Sequence, residues 1–149
     1  MLECSLPDIR IRESRPGDAL GLIAVWDAAV RETHPFLPAS FIEAERAALT
    51  EHYFPATETW VADRMGILGF VSVLRGNEIA GLFVTPSEHG QGIGRRLLDA
   101  VVKPGEPMMV EVYEPNLEAR VFYRKYGFEI VNRRLDEETG LIMLQLRIG

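Results

Sequence analysis

Three glycines on alternate positions, Gly90, Gly92 and Gly94, in the run His89-Gly90-Gln91-Gly92-Ile93-Gly94-Arg95, carry the spacing that points most directly to chemistry. A helical stripe of Ile93, Leu97, Leu98, Val101 and Val102 follows, so the glycines sit where main-chain N–H groups open a helix without side chains in the way. The helix dipole favours an anion there, and a diphosphate is the ligand such a cradle suits. A plain tight turn from strand to helix uses the same glycines, and that reading stays open at this point. A dinucleotide fingerprint is excluded, because G-x-G-x-x-G requires glycine three beyond Gly92, where Arg95 stands. A P-loop is excluded as well, since no Gly-Lys-Ser/Thr follows.

A second group lies downstream, where Glu111-Val112-Tyr113-Glu114-Pro115-Asn116 leads into Phe122-Tyr123-Arg124-Lys125-Tyr126-Gly127-Phe128. Asn116 stands at a helix start, where it is either an N-cap or a ligand contact. Tyr123 follows at helical spacing beside Phe122 and reads as core or as a site hydroxyl. Glu111 alternates with Val110 and Val112, so it is a proton acceptor or a solvent-facing bystander. Glu78, at the start of its strand, is a rival carboxylate. His34 is either a group that titrates near neutrality or an ordinary helix-end residue before Pro35.

The elements that must position these residues follow from periodicity and punctuation. Asp8 to Glu13 alternates as a first strand, ended by Pro16, Gly17 and Asp18. Leu22, Ile23, Trp26 and Val30 mark a helix to about Glu32 with Asp18 as its N-cap. Ser40 caps a second helix carrying Phe41, Ala44, Ala48 and Leu49 on its apolar side, and Pro55 stops it. Thr59 to Asp63, Ile67 to Leu74 and Glu78 to Thr85 form an antiparallel meander. After the glycine loop and its helix, Met108 to Tyr113 returns as a strand, parallel to or splayed from the last. A helix from Asn116 to Tyr126 and two closing strands, Phe128 to Leu135 and Leu141 to Arg147, complete an α/β or α+β sheet.

Composition sets the outer bounds. With 149 residues, 47% apolar and 26% charged, the chain reads as one globular domain without repeats or linkers. The absence of a long apolar run predicts no membrane span or signal peptide and a cytoplasmic setting. One cysteine, Cys4, forms no internal disulfide and reads as an inert thiol in an N-terminal arm. No metal-ligand set stands out. A net charge of −6 disfavours nucleic acid as a partner and suits a cationic one. Local basic residues at Arg95, Arg96, Arg120, Arg124 and Lys125 still leave room for a small polyanion.

The glycine loop, in the register of Arg/Gln-x-x-Gly-x-Gly/Ala straight after a fourth strand, resembles the signature of the GNAT N-acetyltransferase superfamily. His89 stands where that family usually has Arg or Gln. The succession Asn116, Phe122-Tyr123, Gly127-Phe128 resembles the family's second motif. The resemblance implies a mixed, mostly antiparallel twisted sheet of six to seven strands with about four helices and splayed strands 4 and 5. It implies acetyl-CoA or coenzyme A held by Leu82, Phe83 and Val84 on a strand edge, by His89, Gly90, Gln91, Gly92, Ile93, Gly94 and Arg95 around the diphosphate, and by Asn116. It also implies Tyr123 as general acid at the thioester sulfur, Glu111 as base, and Trp26, His34, Phe36 and Leu37 around an acceptor amine on a small molecule or peptide. Homodimers are a frequent assembly in this superfamily. The other class consistent with the sequence is a non-catalytic acyl-CoA sensor or interaction module, which retention of Asn116 and Tyr123 disfavours.

Overall fold

A computed structural model describes residues 8–149; the N-terminal arm with Cys4 lies outside the described residues. Seven strands form one sheet in the order β1-β2-β3-β4-β5-β7-β6. The strands are β1 (Arg10–Glu13), β2 (Glu58–Asp63), β3 (Ile67–Leu74), β4 (Glu78–Val84), β5 (Met108–Tyr113), β6 (Glu129–Asp136) and β7 (Leu141–Ile148). The helices are α1 (Ala19–Thr33), α2 (Ala39–Ala48), a short turn α3 (Phe54–Ala56), α4 (Ile93–Val101) and α5 (Leu117–Tyr126). The mixed sheet with four full helices is the expected architecture, and every neighbouring pair of strands is antiparallel except β4 and β5.

Alternation along the strands separates two cores, because successive side chains leave the sheet on opposite faces. On one face Val71, Val110, Val112 and Leu144 pack with Ile93, Leu97 and Leu98 of α4 and Tyr123 of α5. On the other, Val61 and Phe70 pack with Leu22, Val25, Trp26 and Val30 of α1 and with Leu49. The stripes read from the sequence put Leu22, Trp26, Val30, Ile93, Leu97 and Leu98 into these cores, whereas the α2 stripe is shallower, with Leu49 buried, Phe41 and Ala48 half-buried and Ala44 exposed.

The parallel pair decides where a ligand can enter. β4 and β5 are in register only at Glu78↔Met109 and Ile79↔Val110. Beyond Ile79 the two strands part. The register against β3 also slips here, since Ser72 faces Gly81 while Val73 faces Ile79, leaving Ala80 as the extra residue of a bulge. From Ala80 onward the β5-facing edge of β4 has no strand partner, so its main-chain polar groups face the gap.

Two caps differ from expectation. Asp18 makes no side-chain cap to α1; its carboxylate accepts from both terminal nitrogens of Arg12, at 2.9 and 3.1 Å, and from the Arg15 N–H at 2.7 Å. A cation and a closer N–H outcompete the helix donors, and the same pairing holds the Asp18 carboxyl below the usual carboxylate range. Ser40 lies inside α2, whose N-cap position is Pro38, so the helix starts without a side-chain cap. Nor does α2 run as a regular helix to Pro55: it passes into a π turn over Leu49–Tyr53.

Candidate active site

The loop ahead of α4 is built as an anion cradle. Gly90 and Gly92 adopt φ of 84° and 77°, a region that side chains rarely tolerate, and a Cβ at either would meet nothing within 4 Å. Their bare faces therefore look into open space. Gly92 is the N-cap of α4 and supplies no side-chain acceptor. Among the described residues none accepts from the N–H groups of Ile93, Gly94 or Arg95, the orphan donors of the first turn. A row of such donors at a helix start fits a diphosphate. Gly94 has a further reason to be glycine, because a Cβ there would lie 3.0 Å from the Phe122 ring and push α4 off α5.

This cradle forms one wall of a cavity of about 300 Å³ that runs between the free edge of β4 and α5. Leu82, Phe83 and Val84 line it from β4, Gly90, Gly92, Ile93, Gly94 and Arg95 from the loop and α4, and Asn116 and Tyr123 from α5. Gln91 is not on the lining; its amide donates to Glu88. The sequence reading missed Glu88, Glu118, Ala119 and Phe122, which also line this cavity. Ala119, Phe122 and Tyr123 stand at i, i+3 and i+4, and Glu118 lies four before Phe122, which was the available signal for the last three.

His89 lines the cavity but turns its ring toward the protein. Its Nε2 lies 2.9 Å from the Val84 carbonyl, which makes it the donor, and its Nδ1 lies 3.4 Å from Glu118. An imidazole so engaged ties the loop to β4 and α5. Of the other basic candidates, Arg96 donates to the Ile9 carbonyl and Arg120 to that of Glu114, while Arg124 lines a separate groove. Arg95 is the cationic residue on the cavity wall.

Asn116 is the N-cap of α5, the first of the two readings, and it also lines the cavity. Its Oδ1 accepts from Ala119 N–H at 3.1 Å, capping α5, and its Nδ2 lies 3.2 Å from His34 Nε2. The cap fixes which end of the amide is oxygen, so Nδ2 donates and His34 accepts. His34 is consequently neutral, with its proton on Nδ1. Burial agrees, depressing its pKa to about 4. A ring with so low a pKa has little driving force to take up a proton at neutral pH, so burial works against His34 as the base.

Tyr123 is 4% exposed and stacks edge-on between Phe122 and Phe128, both 5.2 Å away between ring centres. Burial pushes its hydroxyl above the ordinary tyrosine range and keeps it protonated. It lines the cofactor-side cavity and also a second one of about 320 Å³ on the α1 and α2 side of the gap. His34, Leu82 and Phe83 are likewise common to both. The two cavities thus meet where β4 and β5 diverge. Neither lining contains a serine or cysteine among the described residues, so no hydroxyl or thiol nucleophile of that type stands at the junction.

The second cavity gathers Trp26, Leu37, Glu78, Glu111 and Tyr113, together with Glu45 and Tyr53, which the sequence reading did not single out. Phe36 is not on its lining; it packs against His34 and Tyr113 at 5.3 and 5.8 Å and supports them. Glu111 faces this cavity, opposite the buried Val110 and Val112, and takes a two-pronged contact from Arg134 at 3.0 and 3.2 Å. Glu78 lines the same wall and has no cation within 4 Å among the described residues.

The sequence profile of the family described as "Acetyltransferase (GNAT) domain" matches residues 55–130, the span that holds the splayed strands, the glycine loop and α5. The chain belongs to the GNAT acetyltransferases. It is 32% identical over 132 residues to the peptidyl-lysine N-acetyltransferase YiaC of Escherichia coli K12, covering 88% of this chain and 90% of that one. It is 34% identical over 134 residues to the peptidyl-lysine N-acetyltransferase YjaB of Salmonella typhimurium, covering 89% and 91%. The solution structure of apo YjaB from Escherichia coli superposes with a TM-score of 0.82 at 30% identity, covering 95% of this chain and 97% of that one. This family carries out acetyl transfer from acetyl-CoA to an amine, and the chain is an acetyl-CoA-dependent N-acetyltransferase.

Proposed function

We propose that this acetyltransferase modifies lysine side chains of peptides or proteins, by direct attack of the amine on a thioester held across the β4–β5 gap. The observation that carries the reading is the wall shared by the two cavities, with Tyr123 on the lining of both. Two ligands entering from opposite faces of the sheet would meet there, as a ternary complex requires. The peptidyl-lysine activity in the names of YiaC and YjaB supports lysine as acceptor, as does the acidic lining of the acceptor side.

Acetyl-CoA, when bound, supplies an activated acetyl group. Around it the chain's own residues have distinct tasks. The N–H groups at the start of α4 hold the diphosphate, and the free edge of β4 from Leu82 to Val84 offers main-chain donors to the thioester arm. Tyr123 keeps a proton on its hydroxyl, ready for the departing sulfur. Asn116 and His34 brace the junction from either side. Glu111 receives the proton released by the ammonium, directly or through water. Its pairing with Arg134 leaves this open, because a carboxylate has about four lone-pair sites and Arg134 engages two.

A thiol-release assay with acetyl-CoA and lysine-containing peptides tests the reading. Turnover with peptides whose lysine is present, and none when that lysine is replaced by arginine, is expected. Thiol release confined to α-amines or non-peptide amines would overturn the lysine assignment.

A further inference from the structure

We propose that Arg64, in the turn between β2 and β3, is a positioning residue for acetyl-CoA, acting through Glu88 on the glycine loop ahead of α4. It cancels a negative charge on the cavity wall and fixes the carboxylate that holds the loop in place. The proposal rests on the reading of that loop as a diphosphate cradle and adds the group that sets it.

Two carboxylates, Glu88 and Glu118, line the cavity that takes this polyanionic cofactor. Left bare, either would repel a diphosphate. Glu118 is 63% exposed and lies 3.4 Å from His89 Nδ1, so water and salt screen it. Glu88 matters more, because its side chain is only 17% exposed and that of its partner Arg64 only 16%. Arg64 Nη2 donates to Glu88 Oε1 at 2.9 Å. An ion pair so shielded is screened less than one on the open surface. Arg64 itself is not on the cavity lining, so it reaches the cofactor only through Glu88.

The other oxygen of the same carboxylate holds the loop. Glu88 Oε2 accepts from Gln91 Nε2 at 2.5 Å, and Gln91 stands between Gly90 and Gly92. Both glycines have positive φ and open space where a Cβ would be, so neither packs against anything that would keep the loop still. Among the described residues no main-chain carbonyl accepts from the N–H of Gly90, Gln91 or Gly92. Side chains do the holding instead: His89 on the Val84 carbonyl and Gln91 on Glu88. The turn that carries Arg64 is itself anchored, since Asp63 accepts from the Gly66 N–H at 3.0 Å and from Arg12 at 3.1 Å. A cation rooted at the end of β2 thus orients a carboxylate, and the carboxylate orients the residue between the two glycines. Loss of Arg64 would leave a half-buried negative charge facing the diphosphate and free that carboxylate to turn away from Gln91.

Titration calorimetry with coenzyme A and steady-state kinetics with acetyl-CoA test this, with melting temperature as the folding control. Arg64→Met keeps the apolar stem and removes the charge. It should weaken coenzyme A binding about tenfold and raise KM for acetyl-CoA alike, with kcat at saturation changed less than about twofold. Glu88→Gln removes the negative charge and still offers Gln91 an oxygen, so its loss should stay under about threefold. In the Glu88→Gln background, Arg64→Met should cost less than about twofold more, a non-additivity that a purely structural role for Arg64 would not produce. Gln91→Ala should weaken binding about threefold through the loop alone. Unchanged affinity in Arg64→Met overturns the inference, as does a loss of kcat with KM unmoved. A loss that persists undiminished in the Glu88→Gln background overturns the route through Glu88, and unaltered binding in Gln91→Ala overturns the hold on the loop. Gly92→Glu keeps the cradle separate from the residue that sets it. If Gly92→Glu binds coenzyme A normally, the cradle reading falls and this inference with it; if Gly92→Glu abolishes binding while Arg64→Met leaves it intact, the cradle stands and only the role of Arg64 falls.

Discussion

Asn116 Nδ2 lies 3.2 Å from Nε2 of His34, so one side-chain amide joins the start of α5 to the end of α1 across the reaction gap. The bond requires a neutral imidazole, and burial depresses the pKa of His34 to about 4, against an ordinary value of 6.5. Between those two pH values the unfolded chain binds a proton that the folded chain does not. Stability is therefore undiminished above about pH 6.5 and is lost as pH falls toward 4, by an amount on the order of 3 kcal/mol. Replacing His34 with Gln keeps an acceptor for Asn116 and removes the titration. Urea denaturation at pH 7 and pH 4.5 should show a smaller drop for His34→Gln than for the unaltered protein; an equal drop would place the acid sensitivity elsewhere.

Gly76 and Gly92 share a φ of 77°, and a Cβ at either would meet no atom within 4 Å. They differ in location, since Gly76 lies in the β3–β4 turn and Gly92 at the mouth of α4. Alanine at either position should cost about 1 kcal/mol through the same backbone strain. Glutamate at Gly92 should in addition abolish coenzyme A binding, because its carboxylate would project into the cradle, whereas Gly76→Glu should bind normally. Titration calorimetry on the two glutamate variants separates strain from occupancy, and unaltered affinity in Gly92→Glu would dissociate the cradle from the diphosphate.

Much of this site was legible before any coordinates because it depends on local signals. Glycines at a strand-to-helix transition, a capping asparagine and a tyrosine at helical spacing are each visible within a few residues. Glu45 and Tyr53 were not legible, and the reason is physical. A π turn over Leu49–Tyr53 inserts an extra residue into the helical repeat, so a regular period places Tyr53 on the wrong face. Glu45 reads as a solvated residue on an amphipathic helix and is exposed; it joins the site only because α2 lies along the cavity, a tertiary fact with no local signal. The cap at Asp18 failed for a related cause: Arg12, on another element, claimed the carboxylate. Local patterns predict what a residue can do, and long-range partners decide which option it takes.

Glu111 and Glu78 both line the acceptor cavity, on neighbouring strands, and only Glu111 is oriented by a two-pronged partner. If Glu111 receives the amine proton, Glu111→Gln should lower kcat/KM by about 10²-fold, in the usual range for a general base. Glu78→Gln should change it less than about threefold, since that carboxylate would be a bystander on the wall. Arg134→Gln should fall between the two, because the carboxylate remains but its direction is no longer fixed. Steady-state kinetics at saturating acetyl-CoA decides the matter; a larger loss for Glu78→Gln than for Glu111→Gln would exchange the roles.

Tyr123 has the most demanding position in the molecule, wedged between two aromatic rings and bordering both cavities. Removing its hydroxyl leaves the ring and therefore the packing, so Tyr123→Phe should fold with a melting temperature close to that of the unaltered protein. Coenzyme A affinity should change less than about twofold, because the diphosphate cradle is untouched, while kcat should fall by about 10²-fold through loss of the proton donor. Tyr123→Ala is the contrasting variant: it opens a cavity between Phe122 and Phe128 and should cost about 3 to 5 kcal/mol of stability. Measuring kcat, coenzyme A affinity and melting temperature on both variants separates a chemical role from a structural one. If Tyr123→Phe kept full turnover, the proton for the leaving sulfur would have to come from another group or from water, and the shared wall would be a place of contact with no part in the chemistry.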